Sequence, residues 1–398
     1  MQEVYIVDIV RTAVGKYAGA LSGTRPDDLM ADTMKALLAR NSGFDVNELE
    51  EVVLGAANQS GEDNRNVARM SLLLAGLPNH ISAYTVNRLC ASGLQSIMDA
   101  SRGIMCGQGN AYIAGGVESM SRAPFVMAKS TDAFQRTTEI YDTTIGWRFT
   151  NKKLQEICGT DSMGETAENV AKQWQISREA QDQFAFESQS KYAQALASNK
   201  FADEIIGIEV RNGKEVSIFN QDEHPRLSAI DKLATLKPAF TKDGSVTAGN
   251  SSGINDGASC LLLVNEEMLK KYNLTPIAKI KSMATAGVEP RIMGIGPVPA
   301  TKKALKKAGL TINDLDLIEL NEAFASQALA CMQDLHIDPS KVNVNGGSIA
   351  IGHPLGASGS RISATLLHEM KKRSNAKYGL ATMCIGVGQG AAIIYEKI

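Results

Sequence analysis

At 398 residues the chain is longer than one hydrophobic core supports, so two or more domains are expected. A formal net charge of −2 excludes a basic field for nucleic acid and any strongly acidic tail. No uninterrupted apolar run is long enough to span a bilayer, so no membrane segment is expected. No charged-then-apolar leader opens the chain, and Tyr395-Glu396-Lys397-Ile398 is not an organellar address, so a reducing cytoplasmic setting is expected.

A strand-like run, Val4–Val7, begins almost at once. A helix is predicted after Pro26, a good first helical residue, stopping near Gly43. Strand Val52–Ala56 follows, then a second strand leading into Ala91-Ser92-Gly93. Helix Ser92–Met105 and strand Ala111–Ala114 complete this plan, which reappears later at one constant offset. Gly43–Leu49 falls on Gly309–Leu315, Val52–Leu54 on Ile318–Leu320, Ala91-Ser92-Gly93 on Ala357-Ser358-Gly359, and Tyr112 on Tyr378. The second copy therefore predicts a helix from Pro299 to Gly309, strand Leu317–Leu320, a further strand, helix Ser358–Met370 and strand Gly379–Met383. Alternating helix and strand predicts α/β layers. The two helices after the Ala-Ser-Gly turns are rich in small residues, as for a layer trapped between two sheets. Residues 121–250 have no counterpart and hold one strong helix, Ser177 to about Ser198, with Phe184, Ser188 and Tyr192 on one face. The predicted organisation is an N-terminal domain over 1–120 whose core returns at about 251–270, an inserted loop domain over 121–250, and a C-terminal domain over 271–398.

The six cysteines show no zinc-ligand or redox spacing and the five histidines are scattered, so no metal is expected. Cys106, Cys158, Cys260 and Cys331 lie in apolar or helical contexts and read as packing residues. Cys90 is different. It is expected to end a strand and precede a helix, where the helix dipole and free backbone N–H groups favour the thiolate. His353, flanked by Gly346, Gly347 and Gly352, is either a base for such a thiol or a structural histidine in a tight turn. Cys384 enters the turn Gly386-Val387-Gly388, where Gly386 can offer a backbone N–H to an oxyanion. The constant offset sets Cys384 against Glu118, so the fold does not require a cysteine there. Asn321 can hold a water or a carbonyl oxygen, or simply cap a helix.

These segments, with Gly115–Ser121 and Thr247–Gly253, resemble the thiolase family over essentially the whole chain. The resemblance implies duplicated α/β domains in a five-layer αβαβα sandwich with an inserted loop domain, assembled as a homodimer or homotetramer. It implies that Cys90 accepts the acyl group, that His353 activates it, and that Cys384 moves the proton at the α-carbon. Asn321, through a water, and His353 would hold an enolate oxygen, and the N–H groups of Cys90 and Gly386 a tetrahedral intermediate. Ser252 and Arg226 are then candidate contacts for coenzyme A, and Met163, Met293 and Phe324 candidate pocket walls. The partners implied are coenzyme A and acyl-CoA thioesters. Coenzyme A is a substrate, and no cofactor is needed.

Three departures weaken an assignment to acetoacetyl-CoA alone. Ser162 stands where the biosynthetic members usually carry histidine, Val387 replaces a glycine, and Ala91 replaces the glycine after the nucleophile. Ala57–Arg69, Asp142–Phe149 and Cys384–Gly390 resemble instead the bacterial thiolases acting on 3-oxoadipyl-CoA. A cation near the acyl pocket would pair with the free carboxylate of that substrate, and Arg65, Arg69 and Arg148 are the candidates. The alternatives are a general 3-oxoacyl-CoA or acetoacetyl-CoA thiolase, a decarboxylating condensing enzyme, and a non-catalytic acyl-CoA carrier. Cys384 counts against the condensing enzyme, and the complete Cys90, Asn321, His353, Cys384 set against the carrier.

Overall fold

The computed structural model describes residues 1–398, the side chain of Asn212 excepted. Nine strands follow one hydrogen-bonded path: β1 Tyr5–Thr12, β2 Glu51–Gly55, β3 Ser82–Val86, β4 Ala111–Ser119, β5 Asn255–Val264, β6 Ala278–Gly287, β7 Leu317–Leu320, β8 Tyr378–Ile385 and β9 Gln389–Lys397. Their order is β7-β8-β9-β6-β1-β5-β4-β2-β3. The strands of the two halves are joined by two residue pairs of β1 and β6, Tyr5↔Lys279 and Ile6↔Ala278. Each half therefore acts as its own sheet. Both halves join parallel strands (β2 with β4, β7 with β8) and then run antiparallel towards the seam.

The larger helices are α1 Pro26–Arg40, α2 Val67–Leu74, α3 Ser92–Met105, α4 Met163–Gln173, α5 Arg178–Ala197, α6 Pro297–Ala308, α7 Ala325–Leu335 and α8 Leu355–Lys372. Side-chain alternation along the strands sorts them into layers. Leu261 and Leu263 of β5 pack with Leu94 and Ile97 of α3 and Leu366 and Leu367 of α8. Cys260, Leu262 and Val264 pack on the other face with Leu29 and Met34 of α1 and Leu72 of α2. On the far side, Leu380 and Ile394 meet Leu305 of α6 and Cys331 and Leu335 of α7. The result is helix, sheet, helix, sheet, helix, the five-layer arrangement expected. In α8 every residue from Gly356 to Met370 is buried. The central helices approach closely at their N-terminal ends. A Cβ on Gly93 would lie 2.7 Å from the Gly356 carbonyl oxygen, and one on Gly359 2.2 Å from the Leu94 nitrogen.

The structure corrects several details. Helix α1 ends at Arg40 rather than near Gly43, and α6 starts at Pro297 rather than Pro299. Helix α8 begins at Leu355, because Pro354 already holds φ at −72° at its N-cap, so Ala357-Ser358-Gly359 lies inside the helix. The further strand expected in the second copy shrinks to one bridge, Ile318↔Val342. Left-handed Asn343 and Gly346 turn the chain away there, and the Asn343 side chain bonds the Leu320 N–H and carbonyl in place of a ladder, at 2.9 and 2.8 Å. The constant offset also slips by one residue before β8. Glu51 pairs with Tyr112, but Leu317 pairs with Gly379, not Tyr378. A one-residue slip reverses which face a side chain takes. Cys384 therefore matches Val117, and Glu118 is not its counterpart.

Helix α5 runs as predicted, with Ser177 as its cap, its Oγ accepting from the Ala180 N–H at 3.2 Å. Ser188 donates to Glu322 at 2.7 Å and Tyr192 stacks on Phe201. The segment between β4 and β5 is tied to β1 by buried Arg11, which pairs with Glu204 and Asp222, both at 2.7 Å.

Candidate active site

Strand β3 stops at Val86, so Cys90 does not end a strand as expected; it sits in the tight turn before α3. Asn87 accepts the Leu89 N–H at 2.8 Å. Ser92 Oγ accepts the Arg88 N–H at 2.9 Å and donates to the Leu89 carbonyl at 2.6 Å. These bonds hold Leu89 at φ 46°, a left-handed conformation that a leucine adopts at a cost. The outcome is a part-buried Cys90 at the apex, its sulfur accepting the Gly386 N–H.

The expectation of a ready thiolate fails. Burial pushes the Cys90 thiol up to about 11, against the lowering effect of the Gly386 and Cys90 N–H groups. Loss of hydration outweighs the favourable peptide dipoles. The thiol is neutral at physiological pH in the free protein. Alkylation of Cys90 by iodoacetamide is accordingly expected to accelerate ~tenfold per pH unit from 7 past 9. A plateau near pH 7, measured by mass spectrometry of the Cys90 peptide, would contradict this.

His353 follows Gly352, whose φ of 115° no other residue adopts readily and whose Cβ would collide with Val14 and Asn255. Its backbone N–H donates to Asn255 Oδ1 at 2.8 Å, and its Nδ1 shares a hydrogen with Ser358 Oγ at 2.6 Å. The residue is 5% exposed. Burial, helped by the charge of Arg361, lowers it to about 3, so the imidazole is neutral. Its Nε2 is buried with no partner. Asn321 is similar: its Oδ1 accepts from Ser348 Oγ at 2.6 Å, and its Nδ2 is buried and unpaired. Buried polar atoms rarely go unsatisfied, so each is suited to a water or a ligand oxygen.

Cys384 is 1% exposed on β8, packed with Met293, Phe324, Val246 and Met163. Burial first, then the neighbouring Cys90, holds its thiol well above the ordinary cysteine value. Gly386, Val387 and Gly388 form the turn to β9. Val387 is held at φ 63°, a costly conformation for a β-branched residue.

A cavity of about 210 Å³ opens at Cys90, with Asn58, Ile145, Trp147, Arg148, Met163 and Gly386 on its walls. Met293 and Phe324 lie behind it, around Cys384. Ser162 is the N-cap of α4, in a capping box with Glu165. Ser252 donates twice to the Ala323 carbonyl, at 3.0 Å from both N and Oγ. The Arg226 guanidinium donates to the Ala248 carbonyl, and its backbone N–H donates to Gln189 Oε1 at 2.9 Å. Both flank the Thr247–Ser252 turn rather than lining the Cys90 cavity. Ser358, Ser348 and Asn255 escaped the sequence reading. Ser358 was visible only as part of the repeated Ala-Ser-Gly.

The family model for the thiolase N-terminal domain matches residues 4–267, and that for the C-terminal domain residues 274–397. The chain is 54% identical, over 100% of both sequences, to a beta-ketoadipyl-CoA thiolase of Escherichia coli. It is equally similar, at 54% over 100% of both, to a 3-oxoadipyl-CoA/3-oxo-5,6-dehydrosuberyl-CoA thiolase of Escherichia coli strain K12. The crystal structure of the Bacillus anthracis acetyl-CoA acetyltransferase superposes with a TM-score of 0.94 at 40% identity, covering 100% of this chain and 99% of that one. Two thiols of unequal burial, a neutral histidine and an asparagine with free polar atoms thus stand on a fold matched from end to end, and the chain belongs to the thiolase family.

Proposed function

We propose that this protein cleaves 3-oxoadipyl-CoA with coenzyme A, giving acetyl-CoA and succinyl-CoA through an acyl-Cys90 intermediate. The observation that carries the reaction type is the pairing of two neighbouring thiols in unlike surroundings, Cys90 on a cavity and Cys384 enclosed. The 54% full-length identity to thiolases named for this substrate supports its choice.

In this scheme the Cys90 sulfur attacks the 3-oxo carbon and its proton passes to neutral His353. A thiol pushed up and an imidazole pushed down disfavour a resting ion pair, so transfer accompanies attack. The N–H groups of Cys90 and Gly386 receive the developing oxyanion. Cleavage of the C2–C3 bond leaves succinyl on Cys90 and an acetyl-CoA enolate. The enolate oxygen faces His353 and a water held by Asn321, and Cys384, which keeps its proton at neutral pH, protonates the carbon. The proton that His353 took from Cys90 then replaces the one Cys384 gave up. The thiol of free coenzyme A passes its own proton to His353 as it takes the acyl group, and that proton restores the Cys90 thiol. Arg226 and Ser252 are assigned to the coenzyme, and Met163, Met293 and Phe324 to the walls that exclude water.

Residues 121–250 are taken as the inserted loop domain between the two α/β domains, and the protein as a cytoplasmic homo-oligomer. Edge strand β3 has an open hydrogen-bonding side, with exposed Tyr84, Leu73 and Leu74 nearby, which suits a second copy. No helix is long and apolar enough to cross a membrane. The test is the specificity constant for thiolysis of 3-oxoadipyl-CoA, 3-oxohexanoyl-CoA and acetoacetyl-CoA. A tenfold or larger preference for the first, about 1.4 kcal/mol in the transition state, is expected. A preference for either uncharged substrate would overturn the assignment.

A further inference from the structure

We propose that Arg148 selects the substrate by pairing with its terminal carboxylate; this deepens, and rests on, the 3-oxoadipyl-CoA reading above. Sequence left three arginines open, and the structure separates them. Arg69 donates to the carbonyls of Ile81 and Asn79, which hold it against the chain that leads into β3. Arg65 is exposed and lies off the cavity wall. Arg88, two residues before the nucleophile, is tied to Gln389 at 2.9 Å. Arg148 alone of the four lines the cavity that opens on Cys90, and it is half-buried there. The lining includes no carboxylate, and Arg148 has no ion pair or side-chain hydrogen bond among the described residues. A cation left unpaired beside Ile145, Trp147 and Met163 is partly stripped of water and awaits an anion.

The backbone that carries Arg148 is held on both sides. Asn58 donates to the Thr143 carbonyl at 3.1 Å and to its Oγ1 at 3.0 Å. Thr144 bonds Asp142 through its N–H and hydroxyl, at 2.8 and 2.6 Å. Trp147 Nε1 donates to the Asp161 carbonyl at 3.3 Å, and Phe149 packs edge-on against Tyr141 with ring centroids 5.0 Å apart. The guanidinium is thus carried on an anchored segment. Succinyl on Cys90 places two methylenes between the thioester carbon and the carboxylate, a span short enough for both ends to occupy one cavity. A guanidinium offers that carboxylate a forked pair of donors, which a methyl end cannot use.

The experiment compares thiolysis of 3-oxoadipyl-CoA with that of 3-oxohexanoyl-CoA, which has the same chain length but a methyl end. Both are measured for the natural protein, Arg148→Gln and Arg148→Lys. Arg148→Gln is expected to lower the ratio of specificity constants about 10- to 100-fold, mainly through a higher KM for the dicarboxylic substrate. Arg148→Lys is expected to restore part of that ratio, since it keeps the charge and loses the fork. An equal fall on both substrates in both variants would make Arg148 a structural residue and overturn the proposal. An unchanged ratio in Arg148→Gln, with the natural protein still preferring 3-oxoadipyl-CoA, would overturn Arg148 alone and leave the functional reading intact. A natural protein that prefers 3-oxohexanoyl-CoA would overturn both.

Discussion

Cys90→Ala is expected to fold normally and to lose every step that passes an acyl group through the protein. The loss should be at least about 10⁴-fold in thiolysis, because without the sulfur the C2–C3 bond has no covalent route to cleavage. Exchange of labelled coenzyme A into acetyl-CoA should vanish in parallel, since it needs the same thioester. The change removes one sulfur atom from the wall of an existing cavity, so it should cost about 1 kcal/mol of stability or less. Thermal unfolding measured beside the kinetics separates loss of chemistry from loss of fold. Retention of thiolysis or of exchange would remove Cys90 from the mechanism.

Cys384→Ala should divide the reaction where Cys90→Ala does not. Thiolysis should fall about 10²- to 10⁴-fold, the range for losing a positioned general acid. Exchange of labelled coenzyme A into acetyl-CoA should stay within about tenfold of the natural rate, because acyl transfer to and from Cys90 makes no carbanion. Exchange of the acetyl-CoA methyl hydrogens with deuterium from solvent should be lost. A parallel fall in coenzyme A exchange would mean that Cys384 supports Cys90 rather than moving the α-proton. The thiol is suited to the task by its surroundings. Enclosed by Met293, Phe324 and Val246 and beside Cys90, it stays protonated at neutral pH.

Much of this was legible because the chemistry-bearing residues stand in glycine-lined turns. Cys90, His353 and Cys384 could be named from those turns, and helix Ser92–Met105 and strand Leu317–Leu320 from the internal repeat and apolar runs. The repeat failed where one residue more precedes β8, since nothing in the sequence marks a slip that turns Cys384 to the other face. The residues that aim the site were hidden by distance along the chain. Asn255 meets the His353 N–H across 98 residues, and Ser348 meets Asn321 across 27. The protonation of Cys90 was misread for a physical reason: a helix start is visible in sequence, whereas the depth of burial that outweighs it is not. Arg69 and Arg148 likewise look alike until the carbonyls that occupy one of them are seen.

The central claim, an acyl group carried by Cys90, is tested most directly by mixing the protein with 3-oxoadipyl-CoA in the absence of free coenzyme A. Intact-mass and peptide mass spectrometry should show one succinyl group per chain, located on Cys90 and released by added coenzyme A as succinyl-CoA, with one acetyl-CoA formed beforehand. Full release of acetyl-CoA with an unmodified chain, or succinyl on any residue other than Cys90, would contradict the account.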